Sequence, residues 1–214
     1  MRDNFNHQLE VLNEKLTNMG DLCENAIAAA SDCLINSDLT LIEKVHATEQ
    51  EIDHSEKEIE ALCMRIILQQ QPIASDLRTV SSALKMISDM ERIGDQAADI
   101  ADILEFIADS EVIGKVHIAE MAKATIGMVN DSVDSFVRKD MKLVQSVIKS
   151  DDTVDELFGR IKDELTAAIC KNPDSAGVCL DILMIAKYLE RIGDHAVNIA
   201  EWVEFSITGE HKEY

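Results

Sequence analysis

Signals for tight turns and for β-structure are sparse in this sequence. Its 214 residues include only two prolines, eight glycines and 4% aromatic residues, whereas all-β domains need turn signals every ~8–12 residues. The chain is 46% hydrophobic and 29% charged, a composition that can bury a core in one large domain or two small ones. We therefore expect an all-α fold.

Basic residues and long apolar segments are also scarce. Only 20 Lys and Arg stand against 41 Asp and Glu, for a formal net charge of -21. Such a charge repels a phosphate backbone, so we expect no nucleic-acid partner. The N-terminal segment has no apolar core of a signal peptide, and no apolar run approaches the ~18 residues of a membrane span. We expect a soluble, cytoplasmic protein.

Helical periodicity fills most of the chain. The Asn36-Ser37-Asp38 cluster predicts the start of a second helix, while Pro72 and the Asn172-Pro173-Asp174 cluster predict helix ends. The predicted helices are 5–35, 39–71, 73–108, 119–139, 141–171 and a last helix that ends near residue 207.

The pattern of three helices occurs twice. Asp140 opens a helix 102 residues after Asp38 (140 − 38), and the pentapeptide ERIGD occurs at Glu91–Asp95 and again at Glu190–Asp194, 99 residues later (190 − 91). A fixed internal shift is the signature of a duplicated unit. We predict two antiparallel three-helix bundles packed together, formed by residues 1–112 and 113–214.

Each ERIGD copy begins an acidic line on its helix. Apolar residues gather on one side of the predicted third helix, and acidic residues at i, i+4, i+8 and i+11 gather on another side. The predicted sixth helix repeats the arrangement with one amide. The lines are Glu91, Asp95, Asp99 and Asp102 in the first repeat, and Glu190, Asp194, Asn198 and Glu201 in the second.

These lines favour metal binding. Like charges one turn apart destabilise a helix by a few tenths of a kcal/mol per pair, and hard cations neutralise them through oxygen ligands. The alternative is a solvated acidic face in a protein that is acidic throughout. Recurrence in both repeats favours the metal site, and Gly94 and Gly193 inside the motif indicate close approach of a neighbouring helix.

Other helices carry carboxylates that could complete such sites, although spacing alone does not place them and a solvated face is the favoured interpretation for them. We also expect Arg92 and Arg191 to pair with carboxylates on adjacent helices, and His195 to face water. The further carboxylates are Asp21, Glu24, Glu49, Asp53, Asp131, Asp134, Asp151 and Asp155.

Four segments of the chain form a specific combination of motifs. They are residues 19–22, 70–78, 91–95 with Ala101, and 188–201. Together they resemble the PhoU family, the phosphate-signalling regulators of bacteria, and the resemblance covers nearly the whole chain.

The resemblance implies two tandem three-helix bundles, in agreement with the duplication. It also implies metal ions at the E/D-x-x-x-D motifs, as iron or zinc clusters or as magnesium or manganese. The implied role is negative regulation of the phosphate-starvation response, through the ATPase subunit of the phosphate transporter and a phosphate-sensing histidine kinase. It further implies a homodimer that meets the membrane only through its partners.

Two other functions compete with this one. A di-iron carboxylate enzyme needs Glu-x-x-His on two helices. That string occurs at Glu43–His46 and is replaced by Gln145–Ile148 in the second repeat. With no nucleophile–base set and no P-loop either, we expect no enzymatic activity. The remaining alternative is a metal-free helical scaffold or a metal-handling bundle whose acidic lines recognise basic partners.

Overall fold

The computed structural model describes residues 2–107 and 116–210, and all regular structure in these residues is helical. The all-α prediction is confirmed. A 3-10 turn at Pro173–Ser175 precedes the last helix. The six α-helices are α1 Arg2–Asn36, α2 Leu41–Gln70, α3 Ser75–Ile107, α4 Ile118–Arg138, α5 Met141–Lys171 and α6 Ala176–Thr208.

An aspartate accepts a backbone hydrogen bond shortly before the second helix of each repeat. Asp38 accepts a hydrogen bond from the backbone N–H of Thr40 at 3.1 Å, and Asp140 accepts one from Lys142 at 2.8 Å. The preceding residues, Ser37 and Lys139, both have positive φ. Side-chain oxygens at such positions satisfy amide groups that the first helical turn leaves unpaired. Asp140 is thereby the N-cap of α5, which begins at Met141 as predicted. α2 begins at Leu41, two residues later than predicted, and its N-cap Thr40 has no side-chain cap.

The connection from α2 to α3 differs slightly from the prediction. α2 ends at Gln70, one residue before the predicted end, and Gln71 is in the left-handed region. The third helix begins at Ser75 and not at Ile73, because Ala74 has a φ of 46°, which a right-handed helix excludes. The predicted end at residue 108 and the predicted boundary between residues 112 and 113 lie outside the described residues.

The helices pack as two three-helix bundles, α1–α3 and α4–α6, in which every pair within a bundle is in contact. The bundles meet through α3 against α6 and α1 against α4. Amphipathic helices bury their apolar stripes against neighbours in this way. The predicted apolar sides are buried in both repeats. They are Met86, Met90, Ile93, Ala97, Ile100 and Leu104 on α3, and Leu189, Ile192, Ala196, Ile199 and Val203 on α6.

Within residues 2–107 and 116–210, no helix combines the length and the apolar character needed to cross a bilayer.

Candidate functional site

The first acidic cluster lies between α2 and α3. One carboxylate oxygen of each of Glu49, Asp53 and Asp95 lies within 4.8 Å of the other two, and all three side chains are half-buried. The helices approach closely here because Gly94 faces Ile52. A β-carbon added at Gly94 would lie 3.0 Å from the Ile52 Cδ1 atom. The expectation that this glycine marks a close helix contact is confirmed.

Charge repulsion is built into the first cluster. Burial raises the pKa of Glu49, and the neighbouring Asp53 and Asp95 raise it further. Burial and Asp95 likewise raise the pKa of Glu91. A charged carboxylate is disfavoured both by desolvation and by like charges nearby. A cation bound among these carboxylates would stabilise their charged forms.

Basic side chains reach the first cluster from its solvent side. Arg92 donates a hydrogen bond to Asp95 at 3.0 Å and lies 3.5 Å from Glu91. It therefore pairs along its own helix, which differs from the expected pairing with an adjacent helix. Lys57 lies 3.7 Å from Asp53. The Arg92 and Lys57 side chains are 60% and 69% exposed, so solvent screens their effect on the cluster.

The second repeat carries a matching cluster between α5 and α6. Burial raises the pKa of Asp151 to about 6, and Asp155, Asp194 and Glu190 contribute to the rise. Burial and Glu190 also raise the pKa of Asp194. These four residues are the counterparts of Glu49, Asp53, Asp95 and Glu91. The duplication has therefore placed acidic groups at the same position in both bundles.

The helix contact beside the second cluster is looser than in the first. A β-carbon added at Gly193 would lie 3.6 Å from the Val154 Cγ1 atom and 3.7 Å from Asp151 Oδ1. These are ordinary van der Waals distances. Among the residues that the structure describes, only the first cluster brings three ligand atoms within 4.8 Å of one another.

Two residues of the predicted lines lie elsewhere, at the interface between the bundles. Asp99 hydrogen-bonds to Tyr188 of α6, and Asn198 donates a hydrogen bond to Asp89 of α3 at 3.1 Å. Asp99 and Asn198 are eight residues beyond the first acid of each motif. They therefore lie about 80° around the helix from Glu91 and Glu190, on the side where the other bundle packs.

His195 belongs to the same interface. Its Nδ1 atom lies 2.9 Å from Asp89 Oδ1, and its side chain is only 18% exposed. The expectation that His195 faces water is wrong, because α3 packs over this side of α6.

The ends of the two lines have different surroundings. Asp102 lies 3.0 Å from His46 Nε2 of α2, about two helical turns beyond Asp95 on α3. Its counterpart Glu201 is half-buried on α6. Neither belongs to the convergent set of Glu49, Asp53 and Asp95.

Carboxylates on α1 and α4 have other partners. Glu24 accepts a hydrogen bond from Asn130 at 2.9 Å across the α1–α4 contact, and Asp134 pairs with Arg138 at 2.7 Å. With Asp21 they line a groove between these helices. Of the further carboxylates, Glu49 and Asp53 lie beside the first ERIGD motif, and Asp151 and Asp155 lie beside the second.

The sequence spacing on α2 and α5 could have identified the acids that face the ERIGD motifs. Glu49 and Asp53 on α2, and Asp151 and Asp155 on α5, repeat the acid-x-x-x-acid spacing of the ERIGD motifs. Each cluster is therefore formed by two such motifs on facing helices. Converging carboxylate oxygens are the ligand set that hard cations prefer, so Glu49, Asp53 and Asp95 could hold a metal ion.

Both bundles match the model of one protein family. The model of the PhoU domain matches twice, over residues 16–104 and 118–203. The chain belongs to the PhoU family. Each match falls within one three-helix bundle and includes one ERIGD motif.

Individual PhoU proteins are similar over almost the full chain. A Pseudomonas putida protein named as a phosphate-specific transport system accessory protein PhoU homolog is 35% identical over 207 residues, covering 96% of this chain and 81% of that protein. A Clostridium acetobutylicum protein with the same name is 34% identical, covering 96% and 94%.

Solved PhoU structures share the fold. The crystal structure of PhoU from Pseudomonas aeruginosa superimposes with a TM-score of 0.89 at 33% identity, covering 96% of this chain and 100% of that one. The phosphate transport system regulatory protein PhoU from Streptococcus pneumoniae gives a TM-score of 0.90 at 25% identity, covering 98% and 100%. The prediction of tandem three-helix bundles is confirmed.

Proposed function

We propose that this PhoU-family protein is a non-enzymatic, cytoplasmic accessory protein of phosphate transport that represses the phosphate-starvation response when phosphate is plentiful. The double match to the PhoU domain carries the proposal. Relatives named as accessory proteins of the phosphate-specific transport system support it, since they align over 96% of the chain.

The proposed partners are the ATPase subunit of the phosphate transporter and the phosphate-sensing histidine kinase. In this scheme the protein acts as a homodimer and reaches the membrane only by binding these partners. The net charge of -21 supports recognition of basic partner surfaces, because complementary charge speeds association and excludes wrong partners.

A metal ion is the proposed ligand of the first cluster. Glu49, Asp53 and Asp95 would hold it, and hard cations such as iron, manganese or magnesium suit an all-carboxylate set better than softer ions do. The ion would neutralise the repulsion that raises the pKa of Glu49. It would thereby join α2 to α3. Glu190 and Asp194 would form a second, pseudo-equivalent site with Asp151 and Asp155.

A phosphate-starvation reporter tests the regulatory role. Deleting the gene should induce the reporter strongly in phosphate-rich medium, and supplying the chain on a plasmid should restore repression. Deleting the histidine kinase as well should abolish the induction. Unchanged reporter output on deletion, in a strain with no second copy of the gene, would refute the proposed regulation.

Complementation with Asp95→Asn separates the metal from the regulatory role. Full repression by this variant, at wild-type protein level, would favour a metal-free scaffold. Loss of repression together with loss of bound metal would support metal-dependent regulation.

A further inference from the structure

The second acidic cluster contains a lysine that the first cluster lacks at the matching position. On α6, the ammonium group of Lys187 donates a hydrogen bond to Glu190, one turn further along the helix. Its charge also lowers the pKa of Asp194, in opposition to burial and to Glu190. Lys187 is therefore part of the second cluster.

Lys187 is held on two sides. Its Nζ atom lies 5.7 Å from the centre of the Phe158 ring on α5, within the range of a cation–π contact. The Glu190 side chain that it contacts is only 17% exposed. A charge pair at a partly desolvated carboxylate is stronger than a pair on an open surface.

The first repeat has no charge at the matching position. The shift of 99 residues places Ser88 opposite Lys187 (187 − 99), and the Ser88 hydroxyl lies 3.5 Å from Glu56 Oε1. Phe158 is likewise replaced by Glu56 under the shift of 102 (158 − 102). The first cluster thus has an acid where the second has an aromatic ring, and a hydroxyl where the second has an ammonium group.

The basic side chains beside the first cluster are more exposed than Lys187 is in the second. Arg92 and Lys57 approach from solvent and are more exposed than Lys187, which is 45% exposed. Three carboxylate oxygens still converge with Arg92 in place. Exposed ion pairs of this kind contribute little and rearrange readily.

We infer that Lys187 is the resident cation of the second cluster and that it restricts tight metal binding to the first. This inference depends on the proposed metal binding, because it concerns which of two clusters the ion prefers. In the second cluster, an incoming ion would have to share Glu190 with Lys187 or displace the ammonium group. In the first cluster, no such cation lies between the helices at the matching position.

Titration with Mn²⁺, followed by electron paramagnetic resonance, tests the inference. Asp53→Asn with Asp95→Asn removes the first cluster, leaving the second to be measured alone. Adding Lys187→Ser, which installs the residue of the first repeat, should tighten the remaining site at least about tenfold. Adding Lys187→Arg instead keeps the charge and should leave that site weak.

The reciprocal change needs no other substitution. Ser88→Lys in the otherwise unaltered chain should weaken the first site by at least about tenfold. Ser88 is exposed on the surface of α3, so this substitution should not disturb folding. It therefore remains a test of the inference if circular dichroism shows that the triple variant does not fold.

The possible failures are distinguishable. Equal affinity of the two clusters for Mn²⁺ in the wild type would overturn the role of Lys187 but not the proposed metal binding. The same conclusion follows if the first cluster binds Mn²⁺ and neither Lys187→Ser nor Ser88→Lys changes an affinity. Absence of Mn²⁺ binding in the wild type and every variant overturns the proposed metal site, and the inference with it. Neither result affects the reporter test of phosphate regulation.

Discussion

The two bundles carry the same pentapeptide, ERIGD, in different surroundings. Beside Gly94, Ile52 packs so tightly that a β-carbon would be 3.0 Å from it, whereas the nearest atom beside Gly193 is 3.6 Å away. Carboxylate oxygens converge in the first bundle, and a lysine enters the cluster in the second. The motif thus supplies acidic residues to both bundles, while residues outside the motif determine how closely those acids converge and whether a lysine pairs with them.

Removing carboxylates should produce the largest difference between the bundles. Asp53→Asn with Asp95→Asn deletes two of three converging anionic ligands, so the affinity of the tightest Mn²⁺ site should fall at least about a hundredfold. Isothermal titration calorimetry measures it. The matched control, Asp155→Asn with Asp194→Asn, should change that site by less than about twofold. The reverse ranking would assign the tight site to the second bundle.

Metal binding should also stabilise the fold through the first bundle. At free Mn²⁺ a hundredfold above the dissociation constant, the free energy of unfolding should rise by about 2.7 kcal/mol. For a chain of this size, Tm should then rise by roughly 5–10 °C in differential scanning calorimetry. The Asp53→Asn/Asp95→Asn variant should show no comparable rise. An equal rise in that variant would place the stabilising ion elsewhere.

The glycines allow a comparison without metal. Replacing Gly by Ala in a helix gains about 0.5–1 kcal/mol, and Gly193→Ala should realise this gain because its new methyl group meets only ordinary contacts. Gly94→Ala should instead destabilise the metal-free protein by about 1 kcal/mol, since overpacking against Ile52 exceeds the gain. Urea unfolding measures both. Equal effects at the two positions would refute the difference in helix contact.

The free energy of unfolding should also depend on pH through Asp151, and this effect should be smaller. Burial raises the pKa of Asp151 from 3.8 to about 6, so the folded state binds more protons than the unfolded state between these values. The stability contributed by the protonated group is present below pH ~4 and is lost as the pH rises through 6. Asp151→Asn should therefore lessen the loss of stability between pH 4.5 and 7, by about 1 kcal/mol after solvent screening.

The counterpart of Asp151 provides the control for this measurement. Glu49→Gln should reduce the pH dependence less, because His46 and Lys57 oppose the rise in the pKa of Glu49. Urea unfolding of both metal-free variants at the two pH values tests this. A larger effect for Glu49→Gln would reverse the electrostatic ranking of the clusters.

Much of the fold was predictable because its signals are local. Pro72 and Pro173 end helices by removing a backbone donor and restricting the preceding residue, and Asp140 caps the start of α5. The start of α3 was missed by two residues, since the left-handed conformation of Ala74 has no sequence signal comparable to glycine.

The site was only partly predictable because it depends on packing between helices. Glu91 and Asp95 follow from helical spacing, but Asp99 lies about 80° from Glu91 around α3, and only the position of α6 shows that it contacts Tyr188. Glu49 and Asp53 carry the correct spacing on α2. Their role emerges only when α2 is placed against α3.

Anomalous X-ray diffraction at the manganese edge, from crystals grown with Mn²⁺, would test the first cluster most directly. We predict a strong anomalous peak among Glu49, Asp53 and Asp95, and a weaker peak or none among Asp151, Asp155 and Asp194. A dominant peak in the second cluster, or no peak between α2 and α3, would contradict the assignment of the metal site to the first bundle.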